Sequence, residues 1–330
     1  MFHVGVTRDF LNPDGSCGFG DIGLDEMTAA GLKWEFLETD ARSLPADCSK
    51  YDGLLVLAPS VTAETVTDGN LKIVARFGVG YDSVDVPACT NAGVLLTITP
   101  DGVRKPVATA ALTLLLALSH KLLLKDRLTR DGRWAEKLNY NGVGLTGRRL
   151  GIIGLGNIGR ELTRMVQPLE MQICAADPWV TPDAAREAGV ELVSVEELLQ
   201  QSDFVCVTCA LTDDTRHLLN ADRLQLMKPT AYLINVARGA IVDQAALTRC
   251  LQNGDIAGAG LDVFDPEPIP ANDPLLVLDN VIVAPHALCW TDECFQLIGR
   301  SAIRSLIDVA AGRIPQNIVN PEALEHPRWR

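Results

Sequence analysis

Short apolar runs alternate with longer stretches of mixed polarity along almost the whole chain. Each run is three to six residues long and rich in Val, Ile, Leu and Ala, which is typical of strands buried on both faces of a parallel sheet. The intervening stretches show helical spacing of their apolar positions. This alternation predicts an α/β fold with parallel sheets. The predicted strands are 2–6, 34–37, 53–57, 73–76, 94–97, 150–153, 172–176, 191–193, 204–208, 232–236, 258–263 and 281–284.

The predicted strands divide into five before residue 100 and seven after it. A chain of 330 residues is long enough for two domains, each with its own core. The helical pattern of 291–312 follows the last strand and could return to the first group. We therefore predict two doubly wound parallel-sheet domains, one inserted into the other. The expected boundaries are 1–99, 100–288 and 289–330.

A glycine pattern, Gly154-Leu155-Gly156-Asn157-Ile158-Gly159, lies between the predicted strand 150–153 and a helical stretch. Such glycines permit a tight turn and close approach of a pyrophosphate to the N–H groups of the helix N-terminus. Asp177 ends the next predicted strand, where a carboxylate accepts hydrogen bonds from the adenosine ribose and repels a 2′-phosphate. The glycines alone would be weak support, but both strands and the acid are present. The pattern predicts NAD as cofactor, bound by Gly154, Gly156, Asn157, Ile158, Gly159 and Asp177.

Three polar residues follow later strands: Arg238 after 232–236, Glu267 after 258–263 and His286 after 281–284. In an open parallel sheet, ligands bind outside the carboxyl ends of the strands. Arg can bind a carboxylate through two hydrogen bonds, His can move a proton near neutral pH, and Glu can favour and orient the imidazolium. Singly, each is more often a surface or loop residue. Together, and with a hydride carrier, they predict interconversion of a 2-hydroxy acid and a 2-keto acid.

Charge and composition exclude other classes of function. A net charge of −13 argues against nucleic acid as partner. The nine cysteines are scattered, as expected of reduced thiols in the cytoplasm, and their spacing suggests no metal site. The N-terminus reads as a strand without a signal-peptide layout. The most apolar stretch, 107–118, is too short to span a membrane and is interpreted as a buried helix or a subunit contact.

Further motifs carry a resemblance to a known family. They are the segments 76–85, 227–239, 260–264 and 285–286, together with the glycine pattern. With these motifs, the chain resembles the D-isomer-specific 2-hydroxyacid dehydrogenases. The resemblance implies a Rossmann nucleotide-binding domain inserted into a discontinuous, flavodoxin-like substrate domain. It also implies a homodimer formed through a dimerisation region at 100–145.

The same resemblance assigns roles to residues. Arg238, Glu267 and His286 are expected to be catalytic, with His286 as acid and base, Glu267 as its partner and Arg238 on the substrate carboxylate. Asp262 is expected to contact the nicotinamide carboxamide. The remaining expected contacts are Thr208 and Ala237 for the cofactor, and Arg76, Gly78, Val79, Gly80 and Trp290 for the substrate.

The chain departs from the family pattern at several positions. Thr208 and Ala210 stand where the family often has His and Pro, and bulky Trp290 follows His286 where small residues are usual. Arg104 and Lys105 are interpreted as solvated charges at a helix end, or alternatively as contacts for an acidic substrate tail.

The sequence predicts a cytoplasmic, NAD-dependent enzyme for an unphosphorylated substrate such as hydroxypyruvate, glyoxylate or a bulkier 2-keto acid. Three alternatives stay open: a non-catalytic, NAD-sensing interaction protein on the same fold, a phosphoglycerate dehydrogenase and a phosphite dehydrogenase.

Overall fold

All of the predicted strands are present in the computed structural model, which describes residues 1–38, 44, 48–66 and 69–329. The chain forms two compact units. The first, here called the split unit, comprises Met1–Pro106 and Trp290–Arg330, and the second, the central unit, comprises Val107–Cys289. Each unit contains one parallel sheet, so the predicted fold class is confirmed.

The sheet of the split unit has the strand order β2-β1-β3-β4-β5, which is the order of flavodoxin-like domains. Its central strands are short and mostly buried, because helices cover both faces of a parallel sheet, whereas the edge strand β2 is partly exposed. The last long helix, α11, returns to this sheet as the sequence predicted, and its Gly299 packs against the backbone of Ile22. The elements are β1 (His3–Val6), α1 (Leu24–Ala29), β2 (Lys33–Phe36), β3 (Gly53–Val56), α2 (Ala63–Val66), β4 (Ile73–Arg76), α3 (Val86–Asn91), β5 (Leu95–Thr97) and α11 (Asp292–Ala310).

The sheet of the central unit has seven strands in the order β12-β11-β10-β9-β6-β7-β8, all parallel. The order reverses between β6 and β9, which is the point where a Rossmann sheet binds its dinucleotide. The elements are α5 (Leu122–Arg130), β6 (Arg149–Ile153), α6 (Asn157–Val166), β7 (Gln172–Ala176), α7 (Pro182–Glu187), β8 (Glu191–Leu192), α8 (Val195–Gln201), β9 (Phe204–Val207), α9 (Ala221–Leu224), β10 (Tyr232–Asn235), α10 (Gln244–Asn253), β11 (Gly258–Leu261) and β12 (Val281–Val283).

Helix α4 (Pro100–Ser119) is longer than the predicted stretch 107–118. Its first turns belong to the split unit, since Gly102 packs closely against Ile298. The observed division therefore falls after Pro106 and after Cys289, a few residues beyond the expected boundaries. Among the described residues, α4 is the one helix long and apolar enough to span a membrane. However, 56% of its apolar window is buried inside the protein, as in the core helix of a folded domain.

Candidate active site

The three glycines after β6 occupy three different environments. Gly154 has a φ of +95°, and a Cβ there would lie 2.6 Å from the backbone of Cys209. A Cβ on Gly159 would lie 2.4 Å from the Gly154 carbonyl oxygen, so this glycine permits close packing of α6. Gly156, in contrast, faces open space at the N-cap of α6. The turn thus leaves room for a pyrophosphate beside Gly156 and the N-terminal residues Asn157 and Ile158.

Asp177 lies at the carboxyl end of β7 and is joined to this turn. Its Oδ2 accepts a hydrogen bond from the Leu155 N–H at 2.8 Å, and its Oδ1 accepts one from the Trp179 N–H at 2.9 Å. The carboxylate is therefore fixed beside the glycine turn. This is the position that a ribose-binding acid requires.

Two further predicted cofactor residues lie at neighbouring strand ends. The Thr208 hydroxyl, after β9, donates to the Gly154 carbonyl at 2.7 Å, which places it directly at the glycine turn. Ala237 follows β10, where its N–H donates to the Asn235 side chain at 3.0 Å. The part of the chain that the structure describes contains no group of three or more His, Cys, Asp or Glu suited to a metal ion.

A buried side chain shapes the turn that carries Arg238. Asn235, at the end of β10, donates from Nδ2 to the Arg238 carbonyl at 2.9 Å and accepts the Ala237 N–H. The next residue, Gly239, packs against the backbone of Phe264, where a Cβ would lie only 2.0 Å from that backbone. Glycine at this position therefore allows the Arg238 turn to approach the loop that contains Glu267.

Glu267 and His286 form the central contact of the site. His286 Nδ1 lies 2.7 Å from Glu267 Oε2, and Glu267 Oε1 accepts the Phe264 N–H at 2.9 Å. Burial alone would raise the pKa of Glu267, but the hydrogen bonds from His286 and Phe264 and the charges of His286 and Arg238 outweigh it and lower that pKa. Glu267 is therefore held as a carboxylate. With Nδ1 occupied, Nε2 is the imidazole nitrogen that remains for a substrate.

Asp262 holds the loop that presents His286. Its Oδ1 accepts the Ala287 N–H at 3.0 Å, and both its oxygens lie 3.2 Å from the Leu288 nitrogen. His286 itself has a φ of +53°, a conformation that L-residues rarely adopt without support from their surroundings. Asp262 therefore positions the histidine, and its expected contact with the nicotinamide carboxamide stays a prediction.

The expected carboxylate loop lies in the split unit, after β4. Gly78 has a φ of +135°, and its N–H is already bound to the Thr99 hydroxyl oxygen at 3.0 Å. Among the described residues, no hydrogen-bond acceptor lies at the N–H groups of Val79 and Gly80. These two groups are better candidates for a substrate carboxylate than Gly78.

The other candidate substrate-binding residues of the split unit are either bound to main-chain carbonyl oxygens or exposed to solvent. Arg76 Nη1 donates to the carbonyl oxygens of Val56 and Phe77, at 3.3 Å and 3.0 Å. Lys105 lies 3.4 Å from Glu293, an exposed ion pair that fits the interpretation as a helix-end charge. Trp290 is half exposed and packs against Phe19 and Phe295.

Comparison with known proteins then decides the family. The family model described as "D-isomer specific 2-hydroxyacid dehydrogenase, NAD binding domain" matches residues 112–287. The chain belongs to this family.

Two relatives illustrate the similarity of sequence. A glyoxylate reductase of Korarchaeum cryptofilum is 41% identical over 77% of this chain and 78% of its own length. A D-3-phosphoglycerate dehydrogenase of Archaeoglobus fulgidus is 35% identical over 92% of this chain but only 58% of its own length.

The solved structures agree with this assignment. D-lactate dehydrogenase from Aquifex aeolicus, complexed with NAD and lactic acid, has a TM-score of 0.83 and 27% identity, covering 96% of this chain and 99% of that one. As a member of the 2-hydroxyacid dehydrogenase family, the protein is an NAD-dependent oxidoreductase that interconverts 2-hydroxy acids and 2-keto acids. The alternative of a non-catalytic NAD sensor is thereby disfavoured.

The sequence analysis missed two polar residues, each of which shapes a candidate loop in its own unit. Asn235 fixes the Arg238 turn and Thr99 fixes Gly78, and both side chains are almost fully buried. Both lie at or just after the end of a predicted strand. A polar residue at the end of an otherwise apolar run was the signal available in the sequence.

Proposed function

We propose that this dehydrogenase reduces unphosphorylated 2-keto acids, glyoxylate, hydroxypyruvate or a bulkier acid, with His286 as the proton donor. The observation that carries the proposal is the contact of 2.7 Å between His286 Nδ1 and Glu267 Oε2. Relatives about 40% identical to the chain are named glyoxylate reductases, which supports small 2-keto acids as substrates.

In this proposal, each residue has one task in the reduction. NADH, when bound at the glycine turn, supplies the hydride for the keto carbon. His286 donates a proton from Nε2 to the keto oxygen, while Glu267 stabilises the imidazolium and fixes its orientation. In the reverse direction, His286 Nε2 accepts the hydroxyl proton.

The substrate carboxylate requires hydrogen-bond donors. Arg238 supplies a planar guanidinium that can bind a carboxylate through two hydrogen bonds and polarise the adjacent carbonyl. Within the split unit, the N–H groups of Val79 and Gly80 are further candidate donors for a carboxylate.

The loop after β3 supports an unphosphorylated substrate. It reads Leu57-Ala58-Pro59-Ser60 and contains no cation for a phosphate. Arg76, at the end of the neighbouring strand β4, directs Nη1 to two main-chain carbonyl oxygens. These observations argue against phosphoglycerate dehydrogenase activity, even though a phosphoglycerate dehydrogenase is among the relatives.

We further propose a cytoplasmic homodimer assembled through residues 100–145. Exposed apolar side chains in this region support the interface, namely Leu122, Leu123, Trp134 and Leu138. The scattered spacing of the nine cysteines in the sequence supports a reducing compartment.

Steady-state kinetics test the proposed function. NADH consumption is measured with glyoxylate, hydroxypyruvate and 3-phosphohydroxypyruvate at one ionic strength. We expect kcat/KM to be lowest for the phosphorylated acid, because a phosphate without an arginine partner lacks charge-assisted hydrogen bonds. A kcat/KM highest for 3-phosphohydroxypyruvate would refute the proposal.

A further inference from the structure

Glu267 lies on a loop of the central unit, residues 264–273, that has little support from its own main chain. Most of the loop after residue 264 is exposed to solvent, and three of its residues are prolines, which have no N–H group to donate. Within the described residues, the loop contains one main-chain hydrogen bond, from the Asp273 N–H to the Pro270 carbonyl oxygen at 2.9 Å. Side chains must therefore supply most of the contacts that fix its shape.

Gln244, the first residue of α10, contacts both ends of this loop. Its Oε1 accepts the Asp265 N–H at 3.1 Å, and its Nε2 donates to Asp273 Oδ2 at 3.0 Å. Asp273 is fixed in turn, since its Oδ1 accepts the Leu275 N–H at 2.9 Å. One half-buried side chain therefore bridges the two ends of the loop that contains Glu267.

The helix that carries Gln244 is a rigid support. Asp243 is the N-cap of α10, and its side chain accepts the Ala246 N–H at 2.9 Å. The Gln244 carbonyl oxygen accepts the Thr248 hydroxyl at 2.8 Å. Ala246 and Leu247 belong to the buried core of the unit. A side chain on an anchored helix holds a neighbouring loop more precisely than another loop residue would.

The bridge is connected directly to the proposed proton donor. Asp265, which binds Gln244, lies two residues before Glu267. The preceding N–H group, that of Phe264, donates to Glu267 Oε1 at 2.9 Å, and Glu267 Oε2 lies 2.7 Å from His286 Nδ1. A shift of the main chain at Asp265 would therefore move the carboxylate relative to the imidazole.

We propose that Gln244 is a positioning residue for this reaction. It holds the loop at Asp265 and Asp273 so that the Glu267 carboxylate meets His286 Nδ1, and it acts on the chemistry through Glu267. The inference rests on the proposed function, in which His286 donates the proton. Loss of the bridge should lower kcat and leave NADH binding, which is proposed to use the glycine turn after β6, little changed.

Gln244→Met tests the bridge, because it removes both hydrogen bonds while keeping a side chain of similar length and helix propensity. We expect kcat for the reduction of glyoxylate by NADH to fall about tenfold, as for the loss of one such hydrogen bond. The KM for NADH should stay nearly unchanged. Gln252→Met, an exposed change in the same helix, is the matched control and should keep the kcat of the wild type.

A double-mutant cycle separates positioning from a general loss of structure. If Gln244 acts through the Glu267 carboxylate, adding Gln244→Met to Glu267→Gln should lower kcat by no more than about twofold, because the contact that it positions is already lost. A residue with a purely structural role would lower kcat by the same factor in both backgrounds.

Asp273→Asn provides a second cycle, since it weakens the other end of the bridge and leaves Gln244 in place. Its effect on kcat should also be smaller in the Glu267→Gln background than in the wild type. Thermal unfolding followed by circular dichroism verifies that each variant is folded at the assay temperature.

Three results would overturn the role of Gln244. They are an equal kcat in Gln244→Met and the wild type, a loss of the same factor in both backgrounds, and an equal loss in Gln252→Met. If the wild type consumes no NADH with glyoxylate or hydroxypyruvate, or if Glu267→Gln keeps the kcat of the wild type, the proposed function itself fails. If Glu267→Gln lowers kcat but Gln244→Met does not, only the positioning role is refuted.

Discussion

At the scale of single residues, the site depends on hydrogen bonds that its side chains make with one another and with the backbone. Glu267 fixes His286 through Nδ1, and Asp262 fixes the loop behind it through the Ala287 and Leu288 N–H groups. Burial by itself raises the pKa of Asp262, against the effect of these two hydrogen bonds. The site thus places two carboxylates around one imidazole with different tasks, since one contacts the ring and the other the backbone.

Arg238→Lys tests the proposed carboxylate clamp. Lysine keeps the charge but loses the planar pair of donors that matches a carboxylate. We expect kcat/KM to fall about 10²- to 10³-fold, the usual effect of removing a positioned donor, with the melting temperature little changed. If the variant lost activity only by unfolding, Arg238 would be a structural residue.

Glu267→Gln tests the coupling between Glu267 and His286, the two groups proposed to be catalytic. His286 helps to lower the pKa of Glu267, and the contact of 2.7 Å between them fixes the orientation of the ring. Glutamine keeps the size of the side chain but removes its charge. We expect kcat for reduction to fall about 10- to 100-fold, the usual effect of losing a hydrogen bond to a charged group, with NADH binding little changed.

The lowered pKa of Glu267 also predicts how its contribution to stability changes at acid pH. A carboxylate whose pKa is lowered on folding contributes stability above the usual glutamic acid range, and this contribution is lost as pH falls through the lowered pKa. The contact with His286 should therefore persist to pH values below that range. Equal kcat in Glu267→Gln and the wild type would contradict the assigned pairing.

At the scale of elements, the ends of the strands could be predicted because the apolar runs end at or near a polar residue. The run 172–176 ends at Asp177, and the run 281–284 ends shortly before His286. The α4 helix was harder to predict. Its first two turns contain Gly102 and Pro106, which are poor helix formers, and packing of Gly102 against Ile298 in α11 outweighs that low propensity.

Asp177→Asn tests the end of β7. The variant keeps the shape of the side chain but removes the charge that is proposed to accept hydrogen bonds from the ribose and to repel a 2′-phosphate. We expect the wild type to favour NADH over NADPH, and the variant to lose about 10- to 100-fold of that preference, the worth of a charge-assisted hydrogen bond.

The measurement is the ratio of kcat/KM for the two cofactors. Asp183→Asn, an exposed change in α7 of the same unit, serves as the control. A wild type that uses NADPH as well as NADH would mean that Asp177 does not select the cofactor.

At the scale of the whole molecule, the sequence predicted both sheets and the return of α11 to the first one, since these follow from the number and spacing of apolar runs. It could not predict contacts between segments distant in sequence. A cluster of aromatic rings in the split unit joins residues 10, 19, 77, 290 and 295, and the Asp9 contact with Ala58 spans 49 positions. Such contacts depend on tertiary packing, which the local pattern of apolar and polar residues does not predict.

Buried thiols should make the folded protein sensitive to alkaline pH. Burial raises the pKa of Cys206 to about 12, well above the value of about 8.5 for a thiol in an unfolded chain. The folded state therefore holds a proton that the unfolded state releases. The free energy of unfolding should fall as pH rises above about 8.5, by at most about 1.4 kcal/mol per pH unit for this thiol.

Urea unfolding of the wild type and Cys206→Ala at several pH values measures this slope. The variant starts from lower stability because it loses buried volume, but its dependence on alkaline pH should be shallower. Equal slopes would indicate that Cys206 does not contribute to alkaline unfolding.

The most direct test of the account compares NADH consumption by the wild type and His286→Ala with the best 2-keto acid substrate. We expect turnover to fall by roughly 10²- to 10⁴-fold, the usual worth of a positioned general acid, while NADH binding measured by fluorescence stays nearly intact. Equal turnover in the variant and the wild type would remove His286 from the mechanism and contradict the central claim.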